Sequence, residues 1–240
     1  MKTAKIILSL ILSIIFSTVI AYTAGVPAAA PFLFFGGLIL SYTLVPGQAA
    51  YLICGSITAG NAPDCDYPLV GGVNEVMTLM NFNDITSYTE NATTKVVEAI
   101  TMSGATVGFA FQGQLLSHEC KWTLVPKNFN NMYKHEIKFL CFNVSPAAKL
   151  NLEKMAKGRI VAAVQNNYRN LLGDTVFELY GKEAGLYVSA MERVLNDPDN
   201  QGAIVVTLSS NEKSLENRMP VSIFITDYTT TKAVYDGLLT

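Results

Sequence analysis

The chain has 240 residues, with 17 basic and 19 acidic side chains and a formal charge of −2. That balance excludes a global field that would draw it to nucleic acid. The length is ample for one cored domain with an appendage. The charge is uneven. Lys2 and Lys5 are the only charged residues before Asp64, so a hydrophobic leader precedes a body holding 15 of the basic and all 19 acidic side chains.

Residues 1–25 have the layout of an export signal. Two lysines are followed by the aliphatic run Ile6–Ile20 and by small residues at Ala21, Ala24 and Gly25. A second apolar stretch, Pro31–Val45, continues through Ala49–Ile53. Together they read as hydrophobic N-terminal helices: a cleaved signal, one anchor, or a hairpin of two transmembrane helices with the body on the cytoplasmic side. A start codon placed too far upstream is equally open. Residues 1–53 are therefore the leader, 54–69 a turn-rich linker and 70–240 the body.

The body begins with an expected strand over 70–81, with Val73, Met77 and Leu79 as its buried positions. Asn81–Asp84 and Tyr88–Asn91 carry loop signals, and the whole of 84–94 reads as a long loop. Residues 95–100 and 105–111 are two further strands split by Ser103-Gly104. Residues 121–125 and 134–142 follow, where His135, Ile137, Phe139 and Cys141 alternate with Lys134, Glu136 and Lys138.

The clearest helix starts at Ser145, a good N-cap with Pro146 behind it, and is stopped by Gly158. Its apolar stripe is Ala148, Leu152, Met155 and Ala156, expected to cover one face of a sheet. Four short runs rich in Val, Ile, Phe and Thr come after it, within 157–167, 177–181, 203–209 and 221–226. Residues 184–195 fit helix or strand. Residues 196–202 are a turn, and 229–239 suit a short terminal helix. The fold class expected is mainly β with one flanking helix (α+β), a β-sandwich or barrel-like core.

No chemistry stands out. His118-Glu119-Cys120 lacks a second ligand at helical spacing, so the zinc-protease pattern fails. His135 sits in an alternating strand and reads as structural. Asp197 and Asp199 flank Pro198, which favours a plain turn over calcium. There is no nucleophile elbow, phosphate loop or dinucleotide fingerprint. Asn91-Ala92-Thr93 and Asn143-Val144-Ser145 match the glycosylation triplet. Cys54, Cys65, Cys120 and Cys141 include no C-x-x-C pair. An exported body would suit a Cys54–Cys65 bridge, and a reducing one four buried thiols. The expected catalytic, cofactor-binding and metal residues are none, and the chain reads as a non-enzyme.

From about Cys54 onward the chain resembles the tail-tube-like virion structural proteins of phages and prophages of gut Bacteroidales. The pattern lies in Cys54-Gly55-Ser56-Ile57, Gly71-Gly72-Val73 and Asn83-Asp84-Ile85, then Leu152–Arg159 with Ile160–Val164. Phe177–Gly181, Ala184-Gly185-Leu186, Asp199-Asn200, Gly202-Ala203 and Pro220–Asp227 complete it. The resemblance implies a sandwich or barrel-like core whose copies join edge to edge in a ring, commonly a hexamer. Rings would stack with other virion proteins into a tube through which DNA passes without specific binding. A mildly acidic wall suits that passage, since a basic one would hold phosphates. The long loops 84–94 and 126–132 would serve as arms. The leader departs from this pattern. It keeps open a different expectation: a bacterial membrane-anchored or exported β domain with a binding or envelope role, touching membrane through residues 6–53.

Overall fold

The computed structural model describes residues 59–62, 64–127 and 131–239. The leader, and with it every expectation about residues 1–53, lies outside the described residues. Among those described, no helix is long and apolar enough to cross a membrane. The body is the compact unit Pro63–Thr240. It is mainly β, built from two sheets.

The strands in chain order are β1 (Val76–Asn81), β2 (Ile85–Glu90), β3 (Val97–Met102), β4 (Phe109–Gln112), β5 (His118–Pro126) and β6 (Asn131–Cys141), then β7 (Ile160–Gln165), β8 (Phe177–Tyr180), β9 (Tyr187–Arg193), β10 (Ile204–Ser209) and β11 (Val221–Ile223). Helix α1 (Pro146–Met155) lies between β6 and β7, and α2 (Tyr228–Gly237) ends the described chain. One sheet runs β2-β3-β11-β8-β7-β1-β4 and the other β5-β6-β10-β9.

The larger sheet is buried on both faces at its centre, and β7 there shows why its sequence is a continuous apolar run rather than an alternation. Ile160, Ala162 and Val164 point into one core cluster, shared with Met77, Leu79, Ile137, Phe139, Val206 and Leu208 from both sheets. Val161 and Ala163 point the other way, into a second cluster with Phe177, Leu179, Tyr235 and Leu238. The two sheets therefore face each other across the first cluster, while α2 covers the opposite face of the larger sheet. A strand with core on both sides has no polar face to show.

The smaller sheet keeps the alternation read from the sequence. His135, Ile137 and Phe139 are buried, whereas Lys134, Glu136 and Lys138 face out. There Glu136 bridges Lys121 at 2.7 Å and Lys134 at 3.5 Å. The ambiguous stretch 184–195 is strand β9. Gly181 turns the chain between β8 and β9 at φ 74°, and an added Cβ would lie 2.7 Å from the side chain of buried Leu186. That position has room only for glycine.

Both helices carry a side-chain N-cap, of which only Ser145 was expected from the sequence. Ser145 Oγ accepts from Ala148 N at 3.3 Å, and Asp227 Oδ1 accepts from Thr230 N at 2.9 Å. Helix α1 sends Leu152 and Met155 into the first cluster, but it ends at Met155, earlier than Gly158, and Ala156 is exposed.

Two loops expected as long arms are corrected. Residues 85–90 form β2, paired with β3 from Ile85↔Met102 to Glu90↔Val97. Its sequence misleads because the strand is half exposed and offers only Ile85 and Tyr88 to the second cluster. Of the expected arm at 126–132, Pro126 ends β5 and Asn131 and Met132 begin β6, paired with it, while residues 128–130 lie outside the described residues. Val73 forms an isolated bridge with Asn166, so β1 starts later than expected.

Candidate assembly surface

Strand β4 reads Phe109-Ala110-Phe111-Gln112, four residues without a charge. It pairs with β1 from Val76↔Gln112 to Leu79↔Phe109, and among the described residues it has a strand on that side only. Phe111 faces inward and meets the Phe139 ring edge-on, with centroids 5.4 Å apart. Phe109 shares that face one step along, but it is 52% exposed, because nothing among the described residues closes over it.

The space beside it is a cleft of about 680 Å³ between β4 and α1. Phe109, Phe111, Phe142, Leu152, Met155 and Ile160 are among its apolar lining residues, with Asn81, Asn143, Asn151 and Lys154 contributing polar groups. The other three sheet edges carry charge: β2 has Glu90, β5 has Glu119 and Lys121, and β9 has Glu192 and Arg193. Charged side chains on an edge discourage a further strand from pairing there. Strand β4 has no such guard. The pattern Phe109-x-Phe111 inside the uncharged run 103–117 was a usable signal for this surface. The cleft itself was not legible, because it depends on which strand lies at the edge.

The candidate chemical residues are dispersed. His118 starts β5 and donates from Nε2 to the Glu75 carbonyl at 2.9 Å. His135 lies buried on the same sheet, between Gly181 N–H, which donates to its Nδ1 at 3.2 Å, and the Arg218 carbonyl, which accepts from its Nε2 at 2.9 Å. Asp197 accepts from Asp199 N and Asn200 Nδ2 within its own turn, which is the geometry of a plain turn. Among the described residues no group of acidic, histidine or cysteine side chains could hold a metal ion.

Burial pushes the Cys120 thiol up to about 12 and Cys141 to about 11, so neither is a ready nucleophile. Cys65 is an exposed free thiol, and Cys54 lies outside the described residues. The carboxamides of both glycosylation triplets are engaged locally. Asn91 accepts from Thr93 N and Thr94 N and donates to Glu98, while Asn143 accepts from Ser145 N.

A buried clasp that sequence reasoning missed closes the end of the sandwich near His135. Glu216 accepts from Glu183 N at 2.9 Å and Ala184 N at 3.0 Å, and Glu183 accepts in return from Asn217 N at 3.1 Å. Lys182 and Arg218 both pair with Glu90 beside it. No sequence spacing announces a clasp between segments 33 residues apart.

The clasp region sets an acid limit. Burial holds His135 down to about 4, against 6.5 for an open imidazole. The unfolded chain therefore binds the proton first. This stability is complete above about pH 6.5 and is lost as pH falls toward 4, by up to about 3 kcal/mol. Glu216 is shifted the opposite way by burial, so its protonation offsets part of the loss. Denaturant melts between pH 7 and 4 should show falling stability, with a shallower slope in a His135→Gln variant. An unchanged slope in that variant would assign the acid limit elsewhere.

Comparison with protein-family models, with curated proteins and with solved structures finds no match to this chain.

Proposed function

We propose that this protein is a non-enzymatic structural subunit that assembles with copies of itself through the β4 edge. The resemblance noted in the sequence makes the assembly a ring of the tail-tube kind in a phage virion, six-fold, stacked with other virion proteins around passing DNA. The observation that carries the reading is the unguarded strand Phe109–Gln112 beside an apolar cleft. An extended segment of a neighbour would satisfy the free backbone groups of β4 and cover Phe109, which is how sheet edges recruit strands. Among the described residues the two histidines are engaged separately by backbone groups, and burial keeps the Cys120 and Cys141 thiols protonated.

The test is the mass of the full chain in mild detergent, measured by light scattering. Rings or tubes are expected, and Phe109→Lys should reduce them to single chains without lowering the melting temperature, because that side chain is half exposed. A native chain that remains single at high concentration removes the assembly reading.

A second reading is a membrane-anchored or exported β domain with a binding or envelope role. It draws on the absence of any charged residue from 6 to 63. Reporter fusions after residues 25 and 60 distinguish export from retention.

A further inference from the structure

Three segments are tied together at the end of the body opposite the His135 clasp. Gly113 N donates to Glu75 O at 2.7 Å, Asn74 N to Gln165 O at 2.7 Å, and Asn167 N to Gly72 O at 3.0 Å. The segments they join carry Leu69-Val70, Leu115-Leu116 and Leu171-Leu172. Leu69, Leu115, Leu116 and Leu171 are 83%, 77%, 81% and 72% exposed. Isolated exposed leucines need no explanation, but three aliphatic pairs at one end of a sandwich do.

Local bonds hold two of these tips in shape. In the first, Gln114 N donates to Ser117 Oγ at 2.8 Å and Ser117 N to Gln114 O at 3.0 Å, with Leu116 at φ 62°. A leucine in the left-handed region is strained, and nothing in the body repays it by burial. In the second, Gly173 N donates to Asn170 Oδ1 at 2.7 Å. The leucines are thus presented on preformed turns and not left as slack loop.

The charge around them narrows the partner. The segments at this end, with the β9–β10 turn and the side chains that line the space beside Leu115 and Leu116, hold Asp64, Asp66, Glu75, Glu119, Asp174, Asp197 and Asp199 against Lys138, Arg169 and Arg193. Two copies meeting through this end would bring like charges together. An anionic lipid surface would be repelled as well. A zwitterionic surface presents its ammonium groups outermost, where acidic side chains around an apolar tip are favoured.

We infer that the Leu69-Val70, Leu115-Leu116 and Leu171-Leu172 tips form a surface that dips into the interface of a zwitterionic lipid bilayer. Apolar side chains on a rim of polar loops bind such an interface by burying area in its acyl boundary. The inference goes beyond the assembly reading and does not depend on it, since a single chain and a ring subunit present the same tips.

Trp122, the only tryptophan, pairs with His135 on β6 at the opposite end and supplies the internal control. The full chain is placed in phosphatidylcholine vesicles with brominated acyl chains, first unchanged, then with Trp122→Phe combined with Leu115→Trp or with Leu172→Trp. Each tip tryptophan should be quenched at least about twofold, while Trp122 in the unchanged chain should not be. Replacing part of the phosphatidylcholine with phosphatidylglycerol should weaken the quenching. Tip tryptophans that escape quenching at both positions overturn the inference, whether water or a second copy covers them. Quenching that strengthens with anionic lipid overturns it too. The Phe109→Lys variant should be quenched like the parent, so failure of assembly and failure of lipid contact are separately visible.

Discussion

A chain ending at Thr226 is expected not to fold. The deletion removes α2 and uncovers the second face of the larger sheet, where Met80, Val161, Ala163, Phe177 and Leu179 are buried. Tyr235 packs against the Phe177 ring with centroids 4.8 Å apart, Tyr228 stacks on the same ring at 5.8 Å, and Leu238 joins the cluster. Each large apolar side chain withdrawn from a core costs about 1.5–3 kcal/mol in transfer alone. Three of them, with the core residues they expose, approach the whole 5–15 kcal/mol by which domains are typically stable. The truncated chain should therefore be insoluble or rapidly cleaved by protease under conditions where the full chain resists. Tyr235→Phe is the graded companion. It removes the hydrogen bond from Tyr235 Oη to the Ala163 carbonyl, 3.1 Å long and buried, and should cost about 0.5–1.5 kcal/mol, the net worth of one such bond, because Ala163 keeps its pairing with Thr78 in the sheet. A truncated chain that still melts cooperatively would show that α2 is an ornament on a sheet stable without it.

The part α2 plays also shows what the sequence could and could not convey. A short terminal helix was expected over 229–239, but the cap that starts it, Asp227 accepting from Thr230 N, was not singled out. Its importance was hidden, because the Thr229–Thr231 run has weak helix propensity and the face that matters depends on what it packs against. Strand periodicity served well where one face meets water, as in β6, and where both faces are buried, as in β7. It failed at β2, whose half-exposed residues look like loop until β3 is seen beside them. Helix α1 was legible from Ser145 and Pro146, but its end was set by the last core contact, Met155, and not by Gly158. The candidate surface follows the same logic. Phe109 and Phe111 advertise an apolar alternation, whereas the edge, the cleft and the missing cover arise only from pairing order. The Glu216 clasp joins segments whose nearness is a product of the fold, and no local pattern foretells it.

Phe139→Ala should be among the most damaging single substitutions in the body, with a loss of about 3–5 kcal/mol. Phe139 is fully buried between the sheets, touched edge-on by Phe111 from β4 and, with centroids 6.3 Å apart, by His118 from β5. Alanine there leaves a cavity that the pairing of β6 with β5 and β10 cannot collapse, because both neighbours hold it in register. The damage should not be uniform. Strand β4 is tied down by four residue pairs and by the Phe111 ring, so it has the least to lose before it detaches. Native-state hydrogen exchange should show Phe109–Gln112 losing protection before β7 does. A double-mutant cycle of Phe111→Leu and Phe139→Leu isolates the ring pair, expected at about 0.5–1.5 kcal/mol beyond the area it buries. The same variants bear on assembly. If β4 is the strand that receives a neighbour, Phe139→Leu should weaken ring formation more than its cost to the melting transition accounts for, since the edge must be held flat to be used. Equal losses in both measurements would mean that β4 contributes to the fold alone, and that the copies meet through another face.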